Sequence, residues 1–159
     1  MVADDGAERD GGFAAATGDG PVPGAEPGVR ETDVRVAFEG LLQIRRLTNR
    51  GAGDPAAVPA DWERRRPVRA VALALEAAGM APSALDGAGR RTATGFRVQA
   101  GEQPGAVRVE WVGPPGGGAA QDEERALTAC AAVLERLGWE ALLYRGPRRR
   151  RFLEAGPAS

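Results

Sequence analysis

Along residues 127–137 the apolar positions Leu127, Cys130, Ala131, Leu134 and Leu137 recur at spacings of three and four, while Arg125, Glu135 and Arg136 fall on the other side. This pattern predicts an amphipathic helix from about Gln121, with Asp122, Glu123 and Glu124 in its first turn, where the helix dipole favours acids. Gly138 is placed to close it in a left-handed conformation and turn Trp139 back onto Leu134.

A second helical stripe, Val34, Ala37, Phe38, Leu41, Leu42 and Ile44, predicts a helix from a candidate N-cap at Asp33 to Asn49-Arg50-Gly51, with Arg35, Glu39, Gln43 and Arg46 outward. The alternation over residues 34–38 also fits a short strand entering that helix. Pro67 suits the first turn of a further helix that buries Val68, Val71, Ala72 and Leu75 and stops at Gly79, with Trp62 beside its entrance.

Period two takes over next. Phe96, Val98 and Ala100 alternate with Arg97 and Gln99, and Val107, Val109 and Trp111 with Arg108 and Glu110, around a turn at residues 101–105. One apolar and one polar face predict an antiparallel sheet covered on one side. Residues 141–145 and 150–155 form a second hairpin around Gly146-Pro147-Arg148; either Leu142 with Leu153 or Leu143 with Phe152 faces the core. The resulting fold class is α+β, a two-layer sandwich with helices on one face of a largely antiparallel four-stranded sheet. Residues 1–32, rich in Gly, Ala, Pro and acids, read as a disordered tail, residues 33–155 as a single domain, and residues 156–159 as a frayed C-terminus.

Composition narrows the chemistry. The 159 residues contain one cysteine, no histidine and no lysine; all 21 basic residues are arginine. The commonest general base and the imine-forming amine are therefore missing, and a zinc site of nitrogen and sulfur ligands cannot be assembled within the chain. The expectation is a non-enzyme with no cofactor and no metal. Cys130 lies on the apolar stripe, where a thiol is an ordinary core residue. Asp122, Glu123 and Glu124 diverge by about 100° per residue around a helix, which argues against a shared Mg²⁺. Gly116-Gly117-Gly118 lacks the Lys-Ser/Thr of a phosphate loop and reads as a linker. No apolar run is long enough for a membrane span, and the acidic start lacks the pattern of a signal peptide, so the expectation is a cytoplasmic protein without a membrane partner.

The net charge of -1 is uneven: residues 1–33 carry net -6, the remainder +5. Arginine runs supply the candidate contacts: Arg148, Arg149, Arg150 and Arg151 at the second hairpin tip, Arg64, Arg65 and Arg66 before a helix, and Arg45 with Arg46. Clustered arginines bind phosphates bidentately. Few aromatics suit base stacking and no nucleic-acid motif is legible. The expected function is a small interaction module that binds a protein partner or a second copy of itself through a sheet face or edge. Nucleic-acid binding through the arginine hairpin is the alternative.

Overall fold

A computed structural model describes residues 13–24, 26–51 and 53–158. In order, these form α1 (Pro27–Thr48), a 3-10 turn (Pro55–Ala57), α2 (Asp61–Arg65), α3 (Pro67–Ala77), β1 (Ala84–Leu85), β2 (Arg91–Ala93), β3 (Gly95–Ala100), β4 (Val107–Val112), α4 (Ala119–Arg136), β5 (Trp139–Arg145), a 3-10 turn (Pro147–Arg149) and β6 (Arg151–Pro157). The main sheet has the order β3-β4-β6-β5 with every neighbouring pair antiparallel, and β1 and β2 form a separate small hairpin. The fold is α+β, with helices against one face of the four-stranded sheet.

The core lies between that face and the helices α3 and α4. Phe96, Val98, Val107, Val109, Leu153 and Ala155 meet Val71, Leu75, Leu127, Cys130 and Leu134 there. Helix α1 packs on the outer side of α3 through Val34, Leu41 and Leu73. Covered from both sides, α3 buries all of Ala70, Val71, Ala72, Leu73, Ala74 and Leu75, and its small alanines let the layers approach. Gly138 has φ 88°, and a Cβ there would collide with the Ala57 carbonyl. Trp139 then enters the cluster that holds Leu134, as the sequence suggested.

The domain is larger than residues 33–155. Helix α1 begins at Pro27, six residues before the expected N-cap Asp33, and the short-strand reading of residues 34–38 is not realised. Polar and apolar contacts share the reason. Arg30 reaches Glu76 on α3 with two bonds of 3.1 and 2.7 Å, donates to the Ala14 carbonyl at 2.9 Å, and lies 4.9 Å from the Phe13 ring centre. Ala16 is buried. The described part of the expected tail from Phe13 onwards is therefore packed, through these polar contacts and through Phe13 and Ala15 against the two hydrophobic clusters. Residues 1–12 lie outside the described residues. At the other end, β6 continues through Pro157 and the Ala158 N–H donates to the Gly138 carbonyl, so those positions extend the sheet; Ser159 is not described.

Residues 81–91 contain β1 and the entry to β2, with the Ser83 hydroxyl donating to the Ala93 carbonyl at 2.7 Å. The second hairpin takes neither expected pairing. Ala141 stands opposite Ala155, Leu143 opposite Leu153, and Tyr144 opposite Phe152. Trp139, Ala141, Leu153 and Ala155 face the core, while Leu142 and Phe152 go to the uncovered face.

Candidate docking edge and the arginine clusters

The arginine runs divide by environment. Arg45 is buried: its guanidinium bonds both carboxylate oxygens of Glu63 at 2.8 and 2.7 Å and donates to the Ala56 and Leu137 carbonyls at 2.8 and 2.9 Å. Glu63 is also buried, and its carboxylate accepts the Ala60 N–H at 3.0 Å. Arg45 occupies the helical position four residues after Leu41, on the stripe the sequence had given to Ile44, which is exposed. This pair joins α1, α2, the Pro55–Ala57 turn and the end of α4, so Arg45 belongs to the core rather than to an anion surface.

Arg148, Arg149 and Arg150 are exposed at the β5–β6 turn, with Arg148 and Arg149 at φ 61° and 63°. Arg151 is not part of that free cluster. Its guanidinium lies 3.7 Å from Glu123 and 3.5 Å from Glu124, and its N–H donates to Glu123 at 2.9 Å. Of the acidic triplet, only Asp122 falls in the first turn of α4, because the helix starts at Ala119; Asp122 pairs with Arg125 at 2.8 Å. Asp122 thus pairs with Arg125 while Glu123 and Glu124 share Arg151, and no acidic group able to hold a metal occurs among the described residues.

Arg64, Arg65 and Arg66 are exposed on and just after α2. Arg65 and Arg66 border an open groove of about 680 Å³ beside the β3–β4 turn, walled by Phe13, Pro67, Val68 and Pro104. Val107, at that turn, stands opposite Ala155. The ladder then runs four more residues, roughly 13 Å at 3.3 Å each, to Arg151. The two arginine clusters therefore sit at opposite ends of the sheet and make no continuous basic track.

Cys130 has no exposure, and burial pushes its thiol from 9.0 up to about 12. A thiol that resists ionisation is a poor nucleophile, in keeping with a packing role.

The uncovered sheet face is polar on β3 and β4, where Arg97 bonds Asp19 at 2.8 Å and approaches Glu110 at 3.3 Å. On β5 and β6 it carries Leu142, Tyr144 and Phe152 beside Glu140 and Glu154. Leu142 is 54% exposed, Tyr144 42%, and the Tyr144 ring stacks on Phe152 at 5.4 Å between centres, with the Arg108 guanidinium 3.9 Å from the Phe152 ring centre. Leu143, on the other face of the same strand, is 40% exposed.

Strand β5 is also an edge, and its amide directions follow from its ends. The Ala158 N–H donates to the Gly138 carbonyl and the Gly146 N–H to the Arg150 carbonyl, so even-numbered residues of β5 bond β6. Trp139, Ala141, Leu143 and Arg145 direct their backbone N–H and C=O groups away from β6. Among the described residues, the opposite edge is different: the Phe96 and Val98 N–H groups donate to the Ala81 and Thr17 carbonyls, and the Phe96 carbonyl accepts from Ser83.

Sequence reasoning placed its site residues on the arginines and missed Leu142, Leu143, Tyr144 and Phe152. The signal that could have found them was the apolar content of both alternating sets in residues 139–145 and 151–155, since a sheet covered on one face leaves one set outside. No protein-family model, curated protein or solved structure matches the chain.

Proposed function

We propose that this chain is a non-enzymatic protein-interaction module whose docking surface is the β5 edge together with Leu142, Tyr144 and Phe152. The observation that carries this reading is the pairing of outward-directed backbone groups with exposed Leu142, Leu143 and Tyr144 on one edge strand. Edge strands are ordinarily blunted by charge, proline, bulges or cover; β5 has charge only towards its ends, at Glu140 and Arg145, and carries exposed Leu142, Leu143 and Tyr144 between them. A partner that adds a strand to such an edge gains main-chain hydrogen bonds, while alternate side-chain contacts set its specificity. No helix among the described residues is long and apolar enough to cross a membrane, and the reading is of a module acting in the cytoplasm.

Arg148, Arg149 and Arg150, exposed at the end of the same hairpin, favour a second reading: nucleic-acid binding in which phosphates meet the tip. That reading expects binding to random duplexes whose affinity falls with salt. Changing all three arginines to serine should make the slope of log K against log salt shallower by about 0.9 for each duplex phosphate no longer neutralised.

A photo-crosslinking side chain in place of Tyr144, compared in cells with one in place of Gln99, tests the docking reading. Defined protein adducts from position 144 and not from position 99 are expected. Equal adducts at both positions, or none at 144, contradict it.

A further inference from the structure

Resting on the reading of β5 as a docking edge, we propose that its occupant is β5 of a second copy, paired antiparallel about Leu143, so that two four-stranded sheets become one of eight strands.

The register follows from backbone direction and side-chain chemistry. Only Trp139, Ala141, Leu143 and Arg145 present amides to the open side, so an antiparallel ladder must pair odd-numbered residues with odd-numbered residues. Centred on Leu143, the ladder sets Leu143 against itself and Ala141 against Arg145 of the other copy. Leu142 then stands opposite Tyr144 in the closely spaced, non-hydrogen-bonded pair, twice by symmetry. Aromatic–aliphatic pairs at such positions stabilise a sheet. The stack of Tyr144 on Phe152 continues across the junction, and the exposed apolar surface of each copy covers that of the other.

Charge supports the same arrangement. Arg145 meets Ala141 rather than a second Arg145, whereas a ladder centred two residues later would oppose the two arginines directly. Glu140 falls opposite Gly146, so the tip bearing Arg148, Arg149 and Arg150 comes to the start of the other β5, beside its exposed Glu140. The ladder also ends where it should. The next pair would join Trp139 to Pro147, which has no N–H, and the start of β5 is already approached by Ala57 and Pro59 at Gly138. The two-fold relation makes the surface self-complementary and closes the assembly at two copies.

The test is the mass of the full chain in solution across a dilution series, for wild type and two variants. Wild type is expected to sediment at twice the chain mass at high concentration and to dissociate on dilution. Leu143→Pro removes an N–H directed at the open edge and none directed at β6, so it should keep the circular-dichroism spectrum while weakening self-association at least tenfold. Leu143→Cys should give a covalent dimer under mild oxidation, because residues facing each other in a hydrogen-bonded pair have Cα atoms about 5.5 Å apart, within disulfide reach. Val36→Cys, on the exposed side of α1, should give none. A wild-type chain that stays monomeric throughout overturns the proposal, and so does a dimer in which Leu143→Cys fails to crosslink. A monomeric chain that still forms adducts with another protein from position 144 removes self-pairing and leaves the docking edge standing.

Discussion

The two edges of the sheet solve one problem in opposite ways. On β3, outward-directed amides at Phe96 and Val98 find the carbonyls of Ala81 and Thr17, so chain from either side of the strand completes the ladder. On β5, the corresponding groups at Leu143 and Arg145 meet no such cover among the described residues, and the strand's outer face carries Leu142 and Tyr144. Core side chains face inward from both strands, so packing does not distinguish them. The difference lies in where the rest of the chain is led, which makes edge pairing a property of topology rather than of local sequence.

Breaking the closed start of β5 should have the largest effect. Arg45 ties the Ala56 carbonyl and Glu63 to the Leu137 carbonyl just before the strand, and Arg45→Leu strands a buried carboxylate. The expected loss is about 3 to 5 kcal/mol, measured by chemical denaturation. Proline sharpens the contrast between the edges. Val98→Pro removes the hydrogen bond to Thr17 and leaves a gap in the core, at a cost on the order of 3 kcal/mol. Leu143→Pro, measured where the chain is dilute enough to be monomeric, should cost less than about 1 kcal/mol. Similar losses at both positions would mean that β5 is closed as well.

The cover on β3 has its own weak point at Gly18, which has φ 89° and lies where a Cβ would come within 2.5 Å of the Phe96 carbonyl oxygen. Gly18→Val should cost about 1 to 3 kcal/mol and speed amide exchange at Val98 while leaving β5 unchanged. Smallest of all, changing Arg148, Arg149 and Arg150 together to serine should alter stability by no more than about 0.5 kcal/mol per residue, read as a thermal shift.

Periodicity located α4 and the β3–β4 hairpin, because each has one apolar set and a distinct stop, while Pro67 and Gly79 bracketed α3, whose residues 70–75 are all buried. It misjudged the described residues between Phe13 and Thr32, where Arg30 finds Glu76 and Ala14, partners distant in sequence, and Phe13 and Ala15 reach the hydrophobic clusters. Arg45 was hidden for the same reason: a buried arginine is visible only with Glu63, 18 positions away. The facing of β5 and β6 was undecided because leucine or an aromatic occupies both alternating sets. That β5 is an edge was out of reach, since it becomes one only when β6 inserts between it and β4. Arginines drew attention as a cluster, yet Arg151 is engaged by Glu123 and Glu124 through the fold of α4 against β6.

Amide exchange followed as a function of protein concentration tests the central claim most directly, because it reads both edges in one experiment. Val98 should be protected at every concentration. Leu143 and Arg145 should exchange quickly in dilute solution and become protected as concentration rises and the second β5 arrives. Protection at Leu143 that is the same at all concentrations, high or low, would contradict the account.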